Sequence, residues 1–302
     1  MDHEKVILTD VTGRDGFQME KEWIETEDKI SILNGIIASG VRRIEATSFV
    51  SPKAVPQLSD AKEVIRRLNR EHVDVIALIP NEKGAERAID AGVDEVNVVV
   101  SASETHNKKN INKTVAESIE EIGEIFELME DHGKQVNVGL ATTFGCPFEG
   151  LYTVERVKAV IKQIASHGLT RFMLADTTGM ANPVQVSGFI KQLRTDFPGL
   201  DFSLHLHNTR GMGLANIVAG YEAGIRKFDG ALGGIGGCPF APGATGNVSL
   251  EDVVHMFQMM QVPVDPEVNR LIMTSRSMEK LLGYKLPGQV MNAGLATETV
   301  EP

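Results

Sequence analysis

The segment LHLHNTRG, residues 204–211, sets two histidines one residue apart. In an extended chain His205 and His207 project to one face, while Leu204 and Leu206 project to the other. Two imidazoles on a confined face need partners, which either a divalent cation or a set of hydrogen bonds supplies. On spacing alone the two readings are equally good. Asp15, in GRDGFQ after the first apolar run, offers a carboxylate, although a glycine-rich turn with Asp as a local cap is the simpler account of that composition. Asn247, in ATGNVSLED, offers an amide oxygen, or else an N-cap for a helix starting at SLEDVV. Two imidazole nitrogens with carboxylate, amide and water oxygens suit Mg2+ or Mn2+, with Zn2+ as a third option. No pair of thiolates is spaced for a structural zinc site.

The elements that must position these residues follow from the hydrophobic rhythm. Short β-rich runs stand at 5–10, 42–47, 73–78, 95–100, 135–141, 171–176, 202–207 and 227–232, alternating with longer amphipathic stretches such as 114–133 and 153–168. Eight strands alternating with helices predict a closed (β/α)8 TIM barrel. The runs ASGVRRIEA, DAGVDEVNV, SHGLTRFML and EAGIRKFDG each read as helix end, glycine turn and strand, at unequal intervals that fit a barrel better than a solenoid. A doubly wound open sheet is the alternative, but no G-x-G-x-x-G turn follows the first strand. The expectation is a single catalytic domain, barrel about 5–262, with a C-terminal helical extension about 265–292. In such a barrel the C-terminal strand ends carry the chemistry. Polar residues gather there: GRDGFQ after strand one, Glu45 on strand two, Asp176 on strand six, the histidines on strand seven and a glycine-rich segment after strand eight.

Composition narrows the partners. The 302 residues carry a formal net charge of -11, the wrong sign for a general nucleic-acid or anionic-membrane surface. The only cysteines, Cys146 and Cys238, form no disulfide framework and favour a reducing compartment. The opening MDHEKVILTD has no apolar targeting core, and no run is long enough to span a membrane, so a cytoplasmic location is expected.

The motifs GRDGFQMEK, IEATSFVSPKAVPQ, SASETHNKKNIN, GCPFEG, ADTTG, HLH and GGIGGCPFAPGATGN occur in this order. With them the chain resembles 3-hydroxy-3-methylglutaryl-CoA lyase, of the DRE-TIM metallolyases, over roughly residues 5–292. The resemblance implies metal-dependent cleavage of an acyl-CoA thioester to acetyl-CoA and a 3-oxo acid, acetoacetate for the usual substrate. It puts the metal ligands on Asp15, His205, His207 and Asn247. Arg14 is then the cation beside the thioester oxygen, and Glu45 orients Arg14 or the substrate. Asp15 or His205 serves as the base, and Cys238, on a glycine-rich loop able to close over substrate, protonates the enolate. Gln18, Asp176, Lys108 and Lys109 are candidate substrate contacts, the lysines for CoA phosphates. Cys146 is expected to pack. A homodimer is also implied.

Four positions depart from the family pattern. Asp10 and Gly13 replace a usual Glu and Pro, and Asn208 and Arg210 replace a usual Asp and Tyr. The last two shift the charge near the histidines by two units, which makes a related 3-hydroxy-3-alkyl acyl-CoA an alternative substrate. A Claisen-condensing synthase of the same superfamily, a metal-dependent hydrolase and a non-catalytic acyl-CoA-binding protein are the other classes.

Overall fold

The computed structural model describes residues 4–237 and 246–297. Eight parallel strands alternate with helices: β1 (Ile7–Asp10), β2 (Arg43–Ser48), β3 (Asp74–Ile79), β4 (Glu95–Ser101), β5 (Gln135–Ala141), β6 (Arg171–Asp176), β7 (Asp201–Leu206) and β8 (Lys227–Gly230). They close in the order β1–β8–β7–β6–β5–β4–β3–β2, the arrangement of a (β/α)8 barrel. Closure rests on β1, which pairs residue for residue with Lys227–Gly230 but reaches β2 only through Thr9 and Asp10.

The strand bounds lie within two residues of the sequence expectation, and two strands end early. β7 stops before His207 and β8 stops at Gly230, because the returning chain ties both ends by single bridges, His207 to Asn247 and Ala231 to Ser249. The segment ETHNKKNI forms the helix Glu104–Ile111, started by Ser103, whose hydroxyl accepts the His106 N–H at 3.0 Å. A small antiparallel ribbon, Gly145–Cys146 against Gly150–Leu151, also appears beyond β5.

Local chemistry explains the regular parts. Thr114 and Glu117 form a reciprocal capping box at the start of the helix Val115–Asp131. The four recurring glycine turns, at Gly40, Gly92, Gly168 and Gly224, all have φ between 84° and 103°, where a glycine ends a helix without strain from a Cβ. Leu204 and Leu206 are buried on the outward face of β7, each contributing about 1.5–3 kcal/mol relative to exposure.

The inward face is polar, unlike the branched apolar filling common in such barrels. At its lower end Arg43 donates to Glu95 (2.8 Å) and Asp74 (3.0 Å), Arg171 donates to Glu95 (2.9 Å), and Lys227 pairs with Asp201. A cavity of about 30 Å³ lies among Arg43, Glu95, Asn97, Asn137, Arg171 and Asp229, a size that admits water. The C-terminal helix Val268–Leu282 buries Leu271, Ile272 and Met278. Among the described residues no helix is long and apolar enough to cross a membrane.

Candidate active site and metal centre

Beyond β1 the chain turns through a wide π-type turn, Thr12–Gly16, all of it buried. This turn lies against β2 where the register of that strand slips between Glu45 and Thr47, a local irregularity of the kind that re-aims side chains. A Cβ on Gly13 would sit 2.3 Å from the Ala46 carbonyl oxygen, so the close approach requires glycine unless the backbone shifts. That accounts for one departure from the family pattern.

The turn delivers Arg14 and Asp15 to the barrel mouth. Arg14 Nε donates to Glu45 Oε2 at 2.5 Å, and Arg14 Nη1 donates to Asp15 Oδ1. Gln18 Nε2 donates to the same Asp15 oxygen at 2.8 Å. Nη2 of Arg14 has no hydrogen-bond partner among the described residues, so one edge of this buried guanidinium is left for a ligand.

The two histidines meet Asp15. His205 Nε2 and His207 Nε2 are 3.1 Å apart, and Asp15 Oδ2 lies 3.4 Å from His207 Nε2 and 3.9 Å from His205 Nε2. One ligand atom from each residue falls within 4.8 Å of the others, and all three residues are buried. His207 Nδ1, which is not the converging nitrogen, has no partner among the described residues. Three convergent donor atoms of this kind fit a divalent cation.

Electrostatics separate the members of this cluster. Burial pushes the Asp15 carboxyl up, but Arg14 and the two imidazoles overcome it and hold Asp15 well below the ordinary carboxylate range. His205 resists the downward push of burial because Asp229 Oδ2 lies 3.2 Å from its Nδ1, and its pKa is raised; burial lowers that of His207. Burial also raises Glu45, against Arg14 and Asn97. Asp229 was not singled out in the sequence, where its only mark is a carboxylate in the alternating run KFDG.

Asn247 reaches the cluster with its nitrogen foremost, donating to Asp15 Oδ2 (2.6 Å) and the Ile235 carbonyl (3.0 Å). Ligation through Oδ1 therefore requires the amide to flip. The helix Leu250–Met259 is capped by Ser249, whose hydroxyl accepts the Asp252 N–H at 3.3 Å, and not by Asn247.

Other candidates lie outside the cluster. Asp176 accepts the N–H groups of Met180 (2.8 Å) and Ala181 (3.1 Å), which fastens the turn after β6, and burial pushes its carboxyl up to about 6. Lys108 and Lys109 are exposed on the helix after β4, with Lys109 stacked 4.0 Å from the Phe148 ring centroid. Cys146 is buried in the small ribbon, where its Sγ accepts the Phe148 N–H at 3.5 Å. Cys238 lies outside the described residues.

The charge change expected beside the histidines is turned to backbone instead. Asn208 Oδ1 accepts the Gly213 N–H at 3.0 Å, at the start of the helix Gly213–Glu222. The exposed Arg210 donates to the carbonyls of Thr178 (2.7 Å) and Gly179 (3.0 Å). Its field still opposes the rise of the Asp176 pKa.

Two further carboxylates brace the turn after β8. Asp10 accepts the Thr12 N–H and hydroxyl, and Thr12 Oγ1 accepts the Leu232 N–H at 2.7 Å. Glu251 accepts the Gly233 N–H at 3.0 Å and the Ser275 hydroxyl at 2.7 Å. Burial pushes both carboxyls up to about 7. Between the ordinary carboxylate range and pH 7 the folded state thus holds protons that the unfolded chain has lost, so stability falls as pH rises through this window. Glu251→Gln, which keeps an acceptor for Gly233 and Ser275, is expected to flatten that fall. Thermal melting from pH 4.5 to 7.5 checks it, and an unchanged slope would show that Glu251 stays ionised.

Fold and site together define a class: barrel enzymes whose strand ends converge imidazole and carboxylate ligands beside a fixed cationic side chain. A family model described as HMGL-like matches residues 5–278. The chain is 40% identical to the hydroxymethylglutaryl-CoA lyase of Bacillus subtilis over 95% of its own length and 96% of that protein. It is also 40% identical to the (R)-citramalyl-CoA lyase of Chloroflexus aurantiacus, over 96% and 95% respectively. The solved HMG-CoA lyase from A. baumannii, in complex with coenzyme A and 3-methylmalate, superposes with a TM-score of 0.94 at 44% identity, covering 99% of this chain and 98% of the other. The chain belongs to the HMGL-like family.

Proposed function

We propose that the protein is a divalent-metal-dependent lyase that cleaves 3-hydroxy-3-methylglutaryl-CoA to acetyl-CoA and acetoacetate. The observation that carries the reading is the buried convergence of Asp15, His205 and His207 beside an Arg14 locked between two carboxylates. Asp15, His205 and His207 would hold the cation, with Asn247 joining after an amide flip; Mg2+ and Mn2+ suit this set, and Zn2+ is also compatible. When bound, the cation orients the substrate's tertiary hydroxyl and lowers the cost of removing its proton.

The protein groups supply the rest. The free edge of Arg14 faces the negative charge that develops on the thioester oxygen as the carbon–carbon bond breaks, and Glu45 fixes the guanidinium there. For the hydroxyl proton, His205 is the better acceptor, since Asp229 stands behind it at Nδ1 while Arg14 holds Asp15 ionised. Because Nδ1 of His205 is taken by Asp229, its Nε2 can accept the proton only where Asp15, His207 and Asn247 hold the cation without it. Reprotonation of the enolate is assigned to Cys238 on the resemblance alone. Gln18, Asp176, Lys108 and Lys109 are proposed substrate contacts, and a cytoplasmic homodimer is proposed for the assembly, to be tested by light scattering.

A second reading rests on the 40% identity to the citramalyl-CoA lyase. In that substrate the carboxylate sits directly on the carbinol carbon, so the same cleavage releases pyruvate instead of acetoacetate. A panel of both thioesters and longer 3-alkyl homologues, assayed for free acetyl-CoA and the oxo acid, separates the readings. Cleavage of hydroxymethylglutaryl-CoA is expected to dominate, to vanish with chelator and to return with Mg2+ or Mn2+. Release of pyruvate at the higher kcat/KM would favour the second reading, and no acetyl-CoA from any thioester would remove both.

A further inference from the structure

Glu45 is fully buried, and each of its oxygens has one partner: Oε2 accepts from Arg14, and Oε1 accepts from Asn97 Nδ2 at 2.6 Å. Asn97, on β4, pairs in register with Asn137 on β5. Asn137 Nδ2 donates to Asn97 Oδ1 at 2.9 Å. These side chains make one chain of hydrogen bonds, Asn137 to Asn97 to Glu45 to Arg14, rising from the lower cavity to the mouth.

The order of donors gives the chain a direction. An amide beside a carboxylate attracts it only with its nitrogen forward; the reversed amide sets two acceptors against each other. Asn137 removes that ambiguity by occupying the Asn97 oxygen. With Oε1 held, the Glu45 carboxylate keeps its rotation and Oε2 stays aimed at Arg14 Nε. Without Asn97, one oxygen of a buried carboxylate is orphaned, and the group has reason to rotate away from its ion pair.

We propose that Asn97 is a positioning residue for the carbon–carbon cleavage, acting through Glu45 on the orientation of Arg14, with Asn137 setting the sense of the Asn97 amide. Neither amide touches the three residues that converge for the cation. Their loss should therefore lower turnover and leave cation binding and substrate capture nearly unchanged.

The test is Asn97→Leu, which keeps the volume and removes the donor, made in the wild type and in a Glu45→Ala background. In the wild type, kcat should fall about tenfold, the scale of one hydrogen bond to a charged group, with KM and Mn2+ affinity within about twofold. In Glu45→Ala the same change should cost less than about twofold, since no carboxylate remains to be held. Equal losses in the two backgrounds would overturn the proposal. Asn137→Leu, at the half-buried outer link, serves if Asn97→Leu does not fold; a smaller kcat loss at unchanged KM supports the chain, and an unchanged kcat defeats it.

A crystal structure supplies a readout independent of activity: an Asn97→Leu protein whose Glu45 still bonds Arg14 would refute the idea. The proposal rests on the lyase reading only for its kinetic assay. Absence of cleavage by the wild type defeats that reading, whereas an unmoved Glu45–Arg14 pair defeats this one.

Discussion

Arg14→Gln is expected to lower cleavage about 10²–10³-fold, the usual cost of losing a fixed group that stabilises developing negative charge, while the divalent cation still binds. Arg14 is buried, and its Nε and Nη1 are spent on Glu45 and Asp15. What it offers a substrate is the remaining edge, already oriented before anything binds. A glutamine keeps polarity but has neither the charge nor the fork that spans two carboxylates. The cation ligands survive the change, although Asp15 loses the group that most opposes its upward push from burial. Mn2+ titrations at pH 8 should thus give an affinity within about tenfold of the wild type, with a steeper loss on acidification. Loss of cation binding on the same scale as loss of turnover would make Arg14 a structural clamp instead.

His207→Ala is the complementary experiment, and its expected effect is on binding first. Its Nε2 stands 3.1 Å from His205 Nε2 and 3.4 Å from Asp15 Oδ2, so its removal opens one corner of the cluster. The backbone bridge from His207 to Asn247 does not depend on the side chain, and the barrel should close as before. Cation affinity should fall at least about 10²-fold, with turnover falling alongside it. Calorimetric titration with Mn2+ and circular dichroism on the same sample check both halves. Wild-type affinity in this variant would return the histidines to the hydrogen-bonded reading.

Much of this architecture was legible in the sequence because each strand carries its own periodicity and each glycine turn its own helix stop. The eight strand positions fall within a few residues of the structure. The ends were less legible, since β7 and β8 are cut short by contacts with residues far along the chain. The same limit applies in the site. Spacing puts His205 and His207 on one face, but nothing near Asp229 says that its carboxylate lies behind His205. Asn97 is visible as the polar residue in a run of valines, yet its partners Glu45 and Asn137 stand on other strands. Arg210 reads as a charge beside the histidines until the carbonyls of Thr178 and Gly179 are seen to take it up. Asn247 could be named as a participant, but which end of its amide faces Asp15 is a matter of packing.

The polar lower interior of the barrel bears on how this scaffold can be altered. Arg43 and Arg171 share Glu95, and Lys227 pairs with Asp201, around a space with little room. Removing Glu95, the buried member, takes away the carboxylate that Arg43 and Arg171 share, whereas Lys227 and Asp201 reach solvent and their pair contributes little. Glu95 is therefore the position hardest to change alone, and it can be replaced only together with Arg43 and Arg171. Laboratory selection for a longer or shorter acyl group should therefore collect its changes in the segments that follow the strands, and leave Glu95 and its two arginines in place.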